Sequence, residues 1–148
     1  MRSTRFVAFV TCAALVLAGA SSSAVADIRI LGSQGGEVSS FVHLFGLVRD
    51  SGERVIIDGP CYSACTLVLG MVPSERICVT RRALLGFHGA KLVDRAGKVY
   101  RAPQALNAAV AEVYPEPVQD WIARHGGLTT KMITLRGAEL YRYYQRCG

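Results

Sequence analysis

Between Ile28 and Phe87, short apolar runs that read as strands alternate with segments that read as helices, and this order constrains the fold more than any other feature. Ile28-Arg29-Ile30-Leu31 is a strand stopped by Gly32 and the turn-rich Ser33-Gln34-Gly35-Gly36. From Glu37 to Asp50 the apolar residues Val38, Phe41, Val42, Phe45 and Val48 recur at helical spacing, and Ser51-Gly52 ends that helix. Val55-Ile56-Ile57 is a buried-type strand closed by Gly59-Pro60, and Ser63 to Leu69 reads as a helix with Gly70 at its end. Ile77-Cys78-Val79 and Ala83 to Phe87 are two further strands. Strand, helix, strand, helix, strand predicts an α/β fold, a parallel sheet with helices packed on it. After His88 the sequence predicts a polar loop with Asp94, Gly97 and Lys98, and then a helical C-terminal part. Its helices are expected from about Gln104 to Val113 and from Val118 to Arg124, with a turn at His125-Gly126-Gly127 and a last amphipathic segment reaching Cys147.

Ahead of this pattern, residues 1–26 have the three parts of an export signal. Arg2 and Arg5 form a basic start, Phe6 to Ala20 is apolar but for Thr11, and Ala24-Val25-Ala26 is the small-x-small pattern that a signal peptidase reads. The apolar run is shorter than the roughly 20 residues that span a bilayer. The expectation is therefore a leader over residues 1–26, a mature chain beginning at Asp27, and a periplasmic or secreted product. No second apolar run is long enough to span a membrane, so no stable membrane span is expected. Residues 27–148 suffice for one small domain.

The charge balance, 17 basic against 11 acidic residues for a net +6, does not point to nucleic acid. The basic residues of the mature part are dispersed, with only Arg81-Arg82 adjacent, and none are interleaved with aromatics in a patch. Four cysteines remain after the leader: Cys61, Cys65, Cys78 and Cys147. In an exported chain an even number predicts two disulfides, in any of three connectivities. Their spacing is irregular for structural zinc, and no metal or other cofactor is expected.

Three places carry chemistry. Gly35-Gly36 lies between a strand and a helix, where glycine permits a backbone N–H to face a ligand. Ser63, in Gly59-Pro60-Cys61-Tyr62-Ser63-Ala64-Cys65, leaves a strand and enters a helix, a position that also suits a simple N-cap serine. His88 ends the strand Leu84 to Phe87. Parallel strands deliver their C-terminal ends to one edge of the sheet, where open α/β sheets bind ligands. All three features follow a strand and can meet there. A hydroxyl, an imidazole to take its proton and N–H donors for an oxyanion are the minimum set for acyl transfer.

Gly32-Ser33-Gln34-Gly35-Gly36-Glu37-Val38, Cys61-Tyr62-Ser63-Ala64-Cys65 and Gly86-Phe87-His88 together resemble the Clp-type serine protease subunits of the ClpP/crotonase fold, and more closely small exported bacterial relatives of that group. The resemblance covers roughly Ile28 to Ala90. It implies Ser63 as nucleophile, His88 as general base, and Gly36 and Ala64 as the oxyanion N–H donors. A peptide or protein would be the substrate, and a homo-oligomer is possible. Family members usually carry further strands before the Gly-Gly turn, so the fold is expected to be truncated on its N-terminal side. The family's aspartate falls near Thr134 to Ala138, which holds no carboxylate; Glu139 and Asp120 are the nearest candidates for orienting His88. Lys91 offers an alternative base, with a solvated loop lysine as the plainer reading. Two functions compete: an exported serine hydrolase, peptidase-like, and a catalytically silent domain that binds a peptide or protein partner in the cell envelope through the same cleft.

Overall fold

The computed structural model describes residues 26–148, so the expected leader lies, apart from Ala26, outside the described residues. In chain order the elements are β1 (Asp27–Ile30), α1 (Val38–Ser51), β2 (Arg54–Ile57), β3 (Pro60–Tyr62), a 3-10 helix (Ser63–Leu67) running into α2 (Val68–Met71), β4 (Ile77–Val79) and β5 (Leu84–Phe87). Then follow β6 (Lys91–Val93), β7 (Val99–Arg101), α3 (Gln104–Ala111), α4 (Glu116–Arg124), β8 (Ile133–Arg136), α5 (Gly137–Leu140) and β9 (Gln145–Arg146).

The α/β reading holds. One sheet has the order β1-β2-β4-β9 with every pair parallel, and α1 connects its first two strands. Helix α1 is built as its periodicity predicts: Phe45 and Val48 are buried, Phe41 packs against them, and Gly52 ends the helix in the left-handed region at φ 78°. Val38 and Val42, though in phase with the apolar stripe, stay exposed.

A second sheet, β3-β5-β8, was only half legible. Gly59-Pro60 does not close the strand region; the chain turns and resumes as β3, which pairs in parallel with β5. Glycine is required at the bend, because a Cβ on Gly59 would lie 1.9 Å from the Leu31 carbonyl oxygen. Proline is tolerated as the first residue of a short strand. Beside the bend, buried Asp58 accepts hydrogen bonds from Arg29 (2.8 Å), Thr80 (2.6 Å) and Arg82.

Two expectations for the C-terminal half need correction. The polar loop after His88 is a hairpin of β6 and β7, whose turn is organised by Asp94 accepting from the backbone of Ala96 and Lys98, each at 2.9 Å. The helical C-terminal part also contains β8, antiparallel to β5, and β9 at the edge of the first sheet. Helices α3 and α4 lie close to their expected places, and α4 inserts Val118, Trp121 and Ile122 into the core. There Phe87 meets Tyr114 edge-on, with ring centroids 5.3 Å apart, and tilts against Trp121 at 5.7 Å.

The cysteines form two disulfides, Cys61–Cys65 and Cys78–Cys147, one of the three connectivities left open. The first brackets Ser63 and the second fastens the chain end beside β4. Among the described residues, no helix is long and apolar enough to cross a membrane.

Candidate active site

The site begins with the register of β3. On one side β3 pairs with β5, placing Tyr62 opposite Gly86, so Ser63 and His88 leave the same end of neighbouring parallel strands. On the other side Ser33 bridges to Cys61, with Ser33 N–H donating to Pro60 O (2.8 Å) and Tyr62 N–H donating to Ser33 O (3.0 Å). The Gly35-Gly36 turn, Ser63 and His88 are thereby brought to one edge.

Among the described residues, Ser63 is the one non-glycine residue with positive φ, at 56°. That conformation costs an L-residue roughly 1–2 kcal/mol and persists only when its surroundings impose it. Three features impose it here. The Cys61–Cys65 disulfide spans the turn. The buried Thr66 hydroxyl donates to Ser63 O at 2.7 Å; its proton is thus engaged, and it accepts from the Tyr114 hydroxyl at 2.7 Å. Burial raises the Tyr114 pKa, so the phenol keeps its proton. Gly35, at φ 82°, closes the turn from above: a Cβ there would lie 2.6 Å from Ser63 Cβ and 2.7 Å from Tyr62 O. The N-cap of the 3-10 helix is Tyr62, not Ser63, and no side chain caps that helix.

The two glycines divide their roles. Gly35 provides the close approach, and its N–H donates to Ser33 Oγ at 3.2 Å. Gly36 is exposed, with only the Phe41 ring near its missing Cβ, at 3.5 Å. The Ala64 N–H lies in the first helical turn, where amide groups lack an intrahelical acceptor. It is Gly35 that lies against this turn, since its Cβ would come 3.1 Å from the Ala64 nitrogen.

His88 is half-buried, and its Nδ1 lies 2.7 Å from Gly89 O. A carbonyl can only accept, so Nδ1 carries the proton and Nε2 is left as the basic nitrogen. Neither carboxylate candidate takes the orienting place. Glu139, on α5, accepts from the Trp121 indole N–H at 2.7 Å. Asp120 is exposed on α4, on the wall of a cleft of about 820 Å³ that starts at Gly89. Lys91 opens β6, exposed, on the rim of the same cleft. Residue types alone did not reveal Thr66, Tyr114 or the Gly89 carbonyl, and the doubled glycine gave a signal without showing that Gly35 is the one packed against Ser63.

No family model and no curated protein matches the chain. Solved structures do. A mutant of the 1510-N membrane-bound stomatin-specific protease in complex with a substrate peptide is 17% identical at a TM-score of 0.57, over 79% of this chain and 57% of that one. A second mutant of the same protease is 15% identical at a TM-score of 0.56, over 79% of this chain and 60% of that one. A ClpP1 mutant from Listeria monocytogenes is 16% identical at a TM-score of 0.53, over 79% and 68% respectively. This chain thus spans less than two thirds of the stomatin-specific protease. At such identities the likeness speaks for architecture alone, and the chain has a ClpP-like fold.

Proposed function

We propose that this protein is an exported serine hydrolase, peptidase-like, in which Ser63 is the nucleophile and His88 the general base. The observation that carries the reading is the left-handed backbone at Ser63, at a strand-to-helix turn pinned by a disulfide. Strain of this kind gathers at functional sites, and a nucleophilic serine on a sharp strand-to-helix turn is one of its recurrent forms. A serine needed only as a cap has no use for it.

In the proposed reaction Ser63 Oγ attacks the acyl carbon of a peptide bond while its proton passes to His88 Nε2. The negative charge moves to the carbonyl oxygen, where the Gly36 and Ala64 N–H groups receive it. The C–N bond then breaks as His88 returns the proton to the leaving amine, and water hydrolyses the acyl-enzyme by the same route in reverse. Export is supported by the leader pattern of residues 1–26 and by four cysteines paired as two disulfides. A homo-oligomer remains part of the proposal.

One observation favours a second reading, a catalytically silent domain that holds a peptide or protein partner: Glu139 is committed to Trp121, leaving His88 without a carboxylate from the sequence candidates. A fluorophosphonate probe separates the two on the mature protein. The hydrolase is labelled, loses labelling in Ser63→Ala, and is strongly weakened in His88→Ala. Absence of labelling at any pH, or labelling that survives in folded Ser63→Ala, refutes the assignment.

A further inference from the structure

A dyad without a carboxylate still needs something to hold the imidazole in the tautomer with Nε2 bare. Resting on the Ser63–His88 reading, we propose that Asn107 is a positioning residue that sets the His88 tautomer through the peptide plane between Gly89 and Ala90.

The geometry runs through four groups. His88 Nδ1–H donates to Gly89 O at 2.7 Å. The carbonyl of Gly89 and the N–H of Ala90 belong to the same planar peptide unit. That Ala90 N–H donates to Asn107 Oδ1 at 2.8 Å, from half-buried Asn107 on α3. Fixing the N–H of a rigid plane fixes the direction of its C=O. The two hydrogen bonds also polarise one another, because the amide that gives a proton to Asn107 becomes a better acceptor for the imidazole. The plane is held at its flanks as well: Gly89 N–H donates to Thr129 O at 2.6 Å, and Ala102 N–H donates to Ala90 O at 3.1 Å.

Gly89 fits this role. A Cβ there would lie 3.2 Å from Asn107 Nδ2 and equally close to the carbonyl oxygens of Leu128 and Thr129, so the backbone sits directly against its supports. Of these supports, Asn107 is the one that acts through a side chain. A neutral amide cannot match the charge of a carboxylate, so this device supplies orientation and tautomer but little stabilisation of the imidazolium. A slow hydrolase is the expected consequence.

The test is nitrogen NMR on the mature, disulfide-intact protein labelled with 15N-histidine. The chain has only three histidines, and the His88 signals are those lost in His88→Gln. At a pH where the ring is neutral, His88 should be protonated at Nδ1 and bare at Nε2. Asn107→Leu should produce a mixture with the Nε2–H form, whereas Asn107→Asp, which keeps the acceptor for Ala90, should retain the native tautomer. Fluorophosphonate labelling of Ser63 should fall at least about tenfold in Asn107→Leu, within the ~10⁴-fold bound known for loss of an orienting carboxylate. Native His88 protonated at Nε2 overturns the proposal without any variant. Folded Asn107→Leu that keeps the pure Nδ1–H form also overturns it, as does loss of that form in Asn107→Asp. The tautomer is read without turnover. An unlabelled Ser63 with the expected tautomer changes therefore refutes the hydrolase and upholds Asn107, and a labelled Ser63 with unchanged tautomers does the opposite.

Discussion

The two disulfides should do different work, and removing them one at a time separates fold from site. Cys78–Cys147 joins residues 69 apart in sequence, Cys61–Cys65 residues 4 apart. The chain-entropy relation assigns the longer loop about 4.4 kcal/mol and the shorter about 1.9 kcal/mol at 25 °C. For a domain of this size roughly 4 °C of Tm accompanies each kcal/mol, so Cys78→Ala/Cys147→Ala should melt about 18 °C below the parent, and Cys61→Ala/Cys65→Ala about 8 °C below it. Probe labelling should follow the reverse order. Cys61→Ala/Cys65→Ala frees the turn that holds Ser63 at positive φ, and well below its Tm it should lose most of its labelling. The other double variant, as long as it is folded, should keep labelling near that of the parent, because its bridge lies between β4 and the chain end. Thermal melts followed by circular dichroism, with labelling at a temperature where both variants are folded, give the comparison. A short bridge that proves the costlier for Tm, or labelling indifferent to Cys61–Cys65, refutes this division of work.

Three further outcomes follow from the same turn and its surroundings. Gly35→Ala should abolish labelling while Gly36→Ala weakens it less: both glycines have positive φ, at 82° and 157°, but the Gly35 Cβ would also lie 2.6 Å from Ser63 Cβ, whereas the Gly36 Cβ would meet Phe41 at 3.5 Å; equal loss in folded variants contradicts this. In urea titrations Tyr114→Phe should cost about 1 kcal/mol by removing one hydrogen bond, and Thr66→Val about 1–3 kcal/mol by stranding the buried Tyr114 hydroxyl and freeing Ser63 O, with the larger loss of labelling in Thr66→Val. The Asp58 carboxyl is held well below the usual range by hydrogen bonds from Arg82, Thr80 and Arg29, so its contribution is complete above the unfolded-state value near 3.8 and fades as pH falls below it. Urea midpoints measured from pH 6 down to pH 2 should therefore decline less steeply in Asp58→Asn than in the parent, and parallel declines would remove Asp58 from the account.

What the sequence revealed of the fold was what local pattern specifies. Val55-Ile56-Ile57 and Ile77-Cys78-Val79 are continuous apolar runs and became the buried middle of the parallel sheet. Helix α1 followed from its 3.6-residue period and its glycine stop. The elements that escaped are short, and their partners make them. Pro60–Tyr62 is three residues with a proline in front, and it is a strand because Ser33 and β5 lie on either side of it. β9 is two exposed residues, Gln145 and Arg146, aligned on Cys78 and Val79 and tied there by the next residue, Cys147. No periodicity exists in two residues. Inward-facing Leu135 does give β8 a period-2 signal, but four residues of it compete with the helical phase of the segment around it.

The site divides along the same line, between groups that residue type identifies and groups that only geometry supplies. Ser63, His88 and the doubled glycine are chemically distinctive, and strand order pointed them to one edge, but the strand that carries Ser63 is β3, paired with β5 and bridged to Ser33, which local pattern did not specify. Of the two carboxylates that sequence offers for His88, Glu139 is bound to Trp121 and Asp120 lies on the cleft wall. An orienting group need not be a side chain. Here the atom in contact with Nδ1 is the carbonyl oxygen of the next residue, which any amino acid would carry, and its usefulness rests on the plane being held by Asn107 from a helix nineteen positions along the chain from His88. The position of a peptide plane is a tertiary property, so no scan for acidic residues could find it. The same holds for Thr66 and Tyr114: a hydroxyl three residues after Ser63 is ordinary in sequence, and only the fold places a phenol over it to secure the strained turn.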